Sequence, residues 1–188
     1  MTLIHHFQAM ARNNAWSNHR LYGACARLNE EEYRAQRVSF FPTIPLTLSH
    51  ILAVDWYYID ALHEEGRGYD VFAADEPFAT LVELEAAQRA SDRKLVAFCD
   101  RLAPADLERK VILDRREAGR FAETISAVLG HLFIHQIHHR GQVHAMLAGT
   151  SAKPPQLDEF FLDQDEPLRR EELRALALPP LQAPRSLS

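Results

Sequence analysis

Four stretches of this sequence repeat their apolar residues at helical spacing over about 20–25 positions each, and that periodicity limits the possible folds most sharply. Glycine is scarce, at seven residues, and the ten prolines fall mostly between the periodic stretches. Long helices can therefore run without interruption. The first spans about Leu3–Arg27, with Leu3, Phe7, Met10, Ala11, Asn14, Leu21, Ala24 and Cys25 on its repeat and Thr2 as N-cap. The second opens near Pro45 and runs to about Glu65. Leu48, Ile51, Leu52, Ile59 and Leu62 form its apolar face, and Gly66 and Gly68 stop it. The third begins at Thr80-Leu81-Val82-Glu83, a Thr-x-x-Glu capping box, and ends before Pro104. The fourth runs from about Thr124 to Ala148, with Gly149 as its stop.

Gln36–Thr43 and Lys110–Phe121 hold β-favouring residues and are expected to be extended connections or short strands. Glu166–Leu176 predicts a short helix, with Pro167 in its first turn. Together these elements predict an all-α fold, a four-helix bundle with long connections and a short fifth helix near the C-terminus. The connections exceed minimal hairpin loops, so up-down-up-down order is not implied. The length of 188 residues fits one domain, assigned to residues 1–176, with residues 177–188 as a flexible C-terminal tail.

No stretch approaches ~18 uninterrupted apolar residues, so no membrane partner is expected. The formal charge of −5 lacks the basic footprint of a nucleic-acid binder. The N-terminus has no basic region followed by an apolar run, and Cys25 and Cys99 fit neither zinc nor redox spacing. A cytoplasmic chain with two free, buried thiols is the expectation.

Ten histidines stand out, and several crowd the fourth helix, in His131-Leu-Phe-Ile-His135-Gln-Ile-His138-His139-Arg140-Gly141-Gln142-Val-His144. Positions four apart share a helical face, so His135 pairs with His139 and His131 with His135. Val128, Leu132, Val143 and Met146 lie close to the same stripe, which turns His135 and His139 toward the bundle core or its mouth and His144 elsewhere. Such a pair can place two imidazole nitrogens about 2.0–2.1 Å from one metal ion. In a chain this rich in histidine, the pair alone is weak evidence. A third, His50, sits beside the buried side of the second helix. Three facial histidines from two facing helices match a catalytic zinc-type site with a position left for water or substrate. Other schemes fit less well. Glu-x-x-His does not occur on two helices, and Arg67 stands where His63-Glu64-Glu65 would need the second histidine of a metalloprotease motif.

Four segments carry a family resemblance: Ala11-Arg-Asn-Asn-Ala-Trp16-Ser-Asn18-His-Arg-Leu21, Thr47-Leu-Ser-His50-Ile-Leu-Ala-Val-Asp55, His131-Leu-Phe-Ile-His135-Gln-Ile-His-His139-Arg140-Gly141-Gln142, and Pro154-Pro155-Gln-Leu157-Asp158. With these the chain resembles the DinB/YfiT-like family of metal-binding four-helix-bundle proteins. The resemblance implies a divalent metal ion held by His50, His135 and His139; zinc or nickel is the leading expectation, while three imidazoles also suit iron or copper. His138 corresponds to a non-ligand neighbour, and His131, one turn before the pair, at most supports the ligands without touching the ion. It also implies a homodimer, and a metal-dependent enzyme working on a small-molecule substrate with a low-molecular-weight thiol, as a transferase or by hydrolase-like chemistry. The alternative is a non-catalytic stress-response or binding module whose metal is structural or sensory. Gln142 reads as a surface amide that can also orient a ligand, Arg140 as a salt-bridging surface residue, and Trp16 and Trp56 as core packing.

Overall fold

The computed structural model describes residues 2–72, 78–158, 163–178 and 181. Four long helices dominate: α1 (Leu3–Cys25), α3 (Ile44–His63), α4 (Leu81–Arg101) and α5 (Ile125–Leu147). Two shorter ones are α2 (Glu30–Arg34) and α6 (Glu166–Ala175), and one small antiparallel hairpin joins β1 (Lys110–Asp114) to β2 (Arg120–Thr124). The expected all-α class holds. The helix starts follow the expected local chemistry. Thr2 accepts from the His5 amide, and Thr80 and Glu83 form both halves of the capping box. Thr43 caps α3 and Thr124 caps α5. The stop of α3 comes earlier than expected, at Glu64, which takes the left-handed conformation (φ 55°) before Gly66 and Gly68 are reached.

Of the two β-favouring segments, only Lys110–Phe121 forms strand structure. It holds β1 and the start of β2, which pair with Lys110 opposite Thr124 and Asp114 opposite Arg120. Gln36–Thr43 is an irregular connection. The sequence reading missed α2, a single capped turn opened by Asn29. The expected fifth helix is α6. Of the expected tail, Leu178 packs against the core, while residues 179–180 and 182–188 lie outside the described residues. Among the described residues, no helix is long and apolar enough to cross a membrane.

Side-chain pairings give the helix directions. Arg12 meets Asp100 and Asn18 meets Asp92, so α1 and α4 are antiparallel. His50 meets His135, and Tyr58 meets His131, so α3 and α5 are antiparallel. Asp55 meets Gln88 and His63 meets Phe98, which makes α3 and α4 parallel. Phe7 meets Phe133 and Asn14 meets Arg140, which makes α1 and α5 parallel. The order along the chain is therefore up, down, down, up. A parallel step from α3 to α4 must travel back along the whole bundle, roughly 30 Å for a helix of this length, which is why that connection is long.

The core has two apolar halves. One gathers Phe7, Leu62, Leu95, Phe98, Leu129 and Phe133. The other gathers Leu21, Ile44, Leu48, Leu52, Leu84 and Val143. Between them lies a buried polar belt. Arg140 donates to the side-chain oxygens of Asn14, Asn18 (3.1 Å) and Gln136 (3.0 Å). The Asn14 and Asn18 amides donate at their other ends to Asp92 (3.2 and 3.0 Å), and Gln136 donates to Asp55. Gln88 closes the ring by donating to both Asp55 (2.8 Å) and Asp92 (3.1 Å). Every member is buried. Arg140 is thus not the salt-bridging surface residue its charge suggests. It is an interior cation held by amide oxygens, with two carboxylates one amide further away. Removing one partner of a buried charge set leaves the others uncompensated. Arg140→Met should therefore lower the unfolding free energy in urea by about 3–5 kcal/mol, and replacing Asp55 and Asp92 with apolar residues in the same chain should restore much of that. A loss below about 1 kcal/mol for the single variant would contradict this account of the belt.

Candidate metal centre

The belt fixes where α5 presents its histidines. Gln136 and Arg140 point into the core, and His135 and His139 each precede one of them by a residue. A helix turns by about 100° per residue, so the two imidazoles emerge beside the buried face, toward α3. His50, in the second turn of α3, meets them there. One nitrogen from each of His50, His135 and His139 lies within 4.8 Å of the other two. The Nε2 atoms of His50 and His135 are 3.1 Å apart. Ring centroids stand 4.4–5.0 Å from one another. His139 is buried, and the other two are half-buried.

These donors fit a divalent ion. Two nitrogens bound tetrahedrally at about 2.0–2.1 Å stand roughly 3.3 Å apart, close to the His50–His135 separation. The Nδ1 atom of His139 lies 2.8 Å from Gln142 Oε1, so Nδ1 donates there and Nε2 is left as a lone-pair donor. Gln142 is therefore more than the surface amide expected, because it sets the tautomer of His139. Its amide nitrogen also lies 3.3 Å from His138 Nε2. Burial pushes the His50 imidazole down to about 4, helped by His139, and the His135 imidazole down to about 3, helped by His139 and His50. His139 is lowered by burial against an opposing contribution from its bond to Gln142. All three rings are neutral near pH 7, the state that can ligate a cation. The donor set is all imidazole, which suits zinc, copper, iron and nickel alike.

The remaining expected residues separate clearly. His131 is exposed and lies tilted against Tyr58 at 5.1 Å between ring centroids, with its ring 6.3 Å from that of His135. His138 is exposed. His144 turns away and bonds the Pro155 carbonyl at 3.0 Å. Trp16 is core and donates to Glu172 of α6, and Trp56 packs partly buried against Phe78. Cys25 and Cys99 are buried free thiols, both pushed up to about 12 by burial, which makes them packing residues. The α6 helix lies on α1, where Glu172 also accepts from Arg20 at 2.9 Å. The residue the sequence reading missed is Phe41, whose ring centroid is 4.4 Å from that of His50 and 5.8 Å from that of His139. The available signal was two adjacent phenylalanines in a connection with no helical repeat.

The chain is thus a helical bundle in which three convergent histidines, one on α3 and two a turn apart on α5, are positioned to hold one metal ion. The model of the DinB family matches residues 3–172, and the chain belongs to that family. It is 25% identical over 149 residues to Protein DinB of Bacillus subtilis (strain 168), covering 75% of this chain and 85% of that protein.

The neutral histidines link stability to pH. An unfolded histidine titrates near 6.5, so below that pH the unfolded chain takes up protons that buried His50 and His135 refuse. Their contribution is complete above about 6.5 and disappears as pH falls through about 4 and about 3. Asp55 and Asp92, raised by burial, act in the opposite sense, so a difference between variants isolates the histidines. In chelator-treated protein, the Tm of His135→Gln should gain on wild type as pH drops from about 6.5 to 4. A difference that stays flat across that range would mean His135 is not held neutral by burial.

Proposed function

We propose that His50, His135 and His139 hold one divalent metal ion, zinc or nickel, and that the protein is a metal-dependent enzyme of the DinB family. The observation that carries this reading is the meeting of three neutral imidazoles at a half-open edge of a bundle whose stability comes from elsewhere. A divalent ion held by these three neutral ligands would supply an electrophile able to lower the pKa of a bound water or thiol. The chain's own groups do the rest. Gln142 fixes the His139 tautomer, the α5 backbone sets the His135–His139 spacing, and Phe41 shields one side of the His50 ring. The family resemblance favours a low-molecular-weight thiol as co-substrate and a transferase, with hydrolase-like chemistry as the neighbouring possibility.

The competing reading is a stress-response or binding module with a structural or sensory metal. The two predict different behaviour on metal loss. Both apolar half-cores and the polar belt form without the three histidines, which supports a fold that outlasts the metal. His139→Ala should therefore lose the ion and remain folded. Elemental analysis of untagged wild type should give about one metal per chain, and a His50/His139 double alanine variant none. The variants should keep wild-type helical circular dichroism. A variant that melts with its metal would favour the structural reading, and a wild type that takes up neither zinc nor nickel would remove the site.

We also propose a homodimer. The outward face of α5 supports it: Ala127, Ile134, Ile137, Gly141 and Ala145 are exposed there alongside His131 and His138, with no Asp, Glu, Lys or Arg among them, and with Ile134 at 69% and Ile137 at 52%. Small residues between large ones let a second helix approach closely. Light scattering should show a dimer that Ile134→Lys converts to monomer. A wild type that is monomeric at high micromolar concentration would refute the assignment.

A further inference from the structure

The connection between α2 and α3 is built to present an apolar tip. The Arg37 amide donates to the Pro42 carbonyl at 2.7 Å and closes the base of the tip. The Arg37 guanidinium donates to the carbonyls of Ala35 (2.8 Å) and Glu32 (2.6 Å), and Thr43 starts α3 immediately afterwards. Between these anchors run Val38, Ser39, Phe40 and Phe41. Val38 is fully exposed and Phe40 is 80% exposed. Phe40 lies edge-on to Phe41 at 4.8 Å, and Phe41 lies on the ring of His50. The tip is therefore pinned at its base, and its apolar side chains run from Phe41, beside the three-histidine cluster, to Phe40 and Val38 in solvent. Large exposed apolar groups held in place beside a polar centre mark a binding surface.

The charge at the centre points to the kind of occupant. Among the described residues, the cluster contains no carboxylate. Neutral ligands leave a divalent ion's charge uncompensated in half-buried surroundings, where an anion is the favoured fourth partner.

We propose that this site selects small anionic ligands carrying an aromatic or branched apolar body. The anionic head meets the centre, and the body lies against Phe41, Phe40 and Val38. Phe40 and Phe41 are thus the specificity-determining residues. The inference rests on the metal reading above, so zinc uptake is measured first and separately. Two hydroxamate probes share one metal-binding head and differ in body: acetohydroxamate and benzohydroxamate. Isothermal titration calorimetry on the zinc-loaded full chain should show benzohydroxamate binding about ten-fold or more tightly than acetohydroxamate. Phe41→Ala should reduce that ratio to about three-fold or less while zinc stoichiometry stays at the wild-type value. Phe40→Ala touches no histidine and serves as the second variant, and it should also reduce the ratio. Equal affinities for wild type overturn the proposal even where zinc binds normally. A preference that survives Phe40→Ala and Phe41→Ala overturns it too. If wild type shows no preference and Phe40→Ala turns a dimer into a monomer, the tip belongs to a second copy of the chain. If no zinc binds to wild type, the metal reading fails and this inference fails with it.

Discussion

The buried guanidinium of Arg140 is the constraint on which the rest of this bundle depends. A charge in an apolar interior is costly unless every donor finds a partner and an opposite charge lies near. Here the solution is a ring in which amides separate the ions. Asn14, Asn18 and Gln136 turn their oxygens to Arg140 and their nitrogens to Asp92 or Asp55, and Gln88 joins the two carboxylates. Each of those amides is polarised in one consistent direction. The ring draws on all four long helices, so none can slide by a turn or rotate without breaking it. An all-apolar waist would allow alternative registers of the same helices.

That restraint reaches the candidate site through single-residue steps. His135 and Gln136 are adjacent, as are His139 and Arg140, so the core bonds of one residue set the direction of the next. On α3, Asp55 joins the belt and His50 lies just over one turn before it. The belt therefore fixes both helices that supply histidines, at the height where they face each other. Burial, with repulsion from Asp92 added, pushes Asp55 up to about 7, and burial pushes Asp92 up to about 6, in both cases against the opposing pull of Arg140. Charge inside the belt is thus kept low, in keeping with an apolar core above and below it.

Much of this was legible in the sequence. The helix starts were clear because Thr2, Thr80 and Thr124 act through local bonds that a short window reveals. The three histidines could be brought together by periodicity and family resemblance, and the structure does place them within reach of one ion. Arg140 was misread because a charged residue on a helix normally faces water, and nothing local shows that its partners lie on α1. The belt itself was hidden for the same reason. Its members are scattered over four helices, and only their placement on otherwise apolar faces hints at a shared interior. Gln142 was undervalued because its partner, at a spacing of three, matters only once the His139 ring has a fixed orientation. The short α2 turn and the apolar tip after it fell in a stretch without periodicity, where pattern carries little information.

The separation of tasks along the bundle bears on the choice between enzyme and structural metal site. Small domains that need a metal to fold place it where the core would otherwise fail. This chain does not have that weakness. Leu95, Leu129 and Phe133 fill one half of its core, Leu48, Leu52 and Val143 fill the other, and the belt joins them. The histidines stand at the edge, are held neutral by partial burial, and border an apolar tip that no described segment covers. Donors arranged for cohesion would be enclosed by four protein ligands. Donors limited to three neutral rings, one of them oriented by a glutamine, leave room for an external ligand, and this asymmetry favours chemistry over scaffolding.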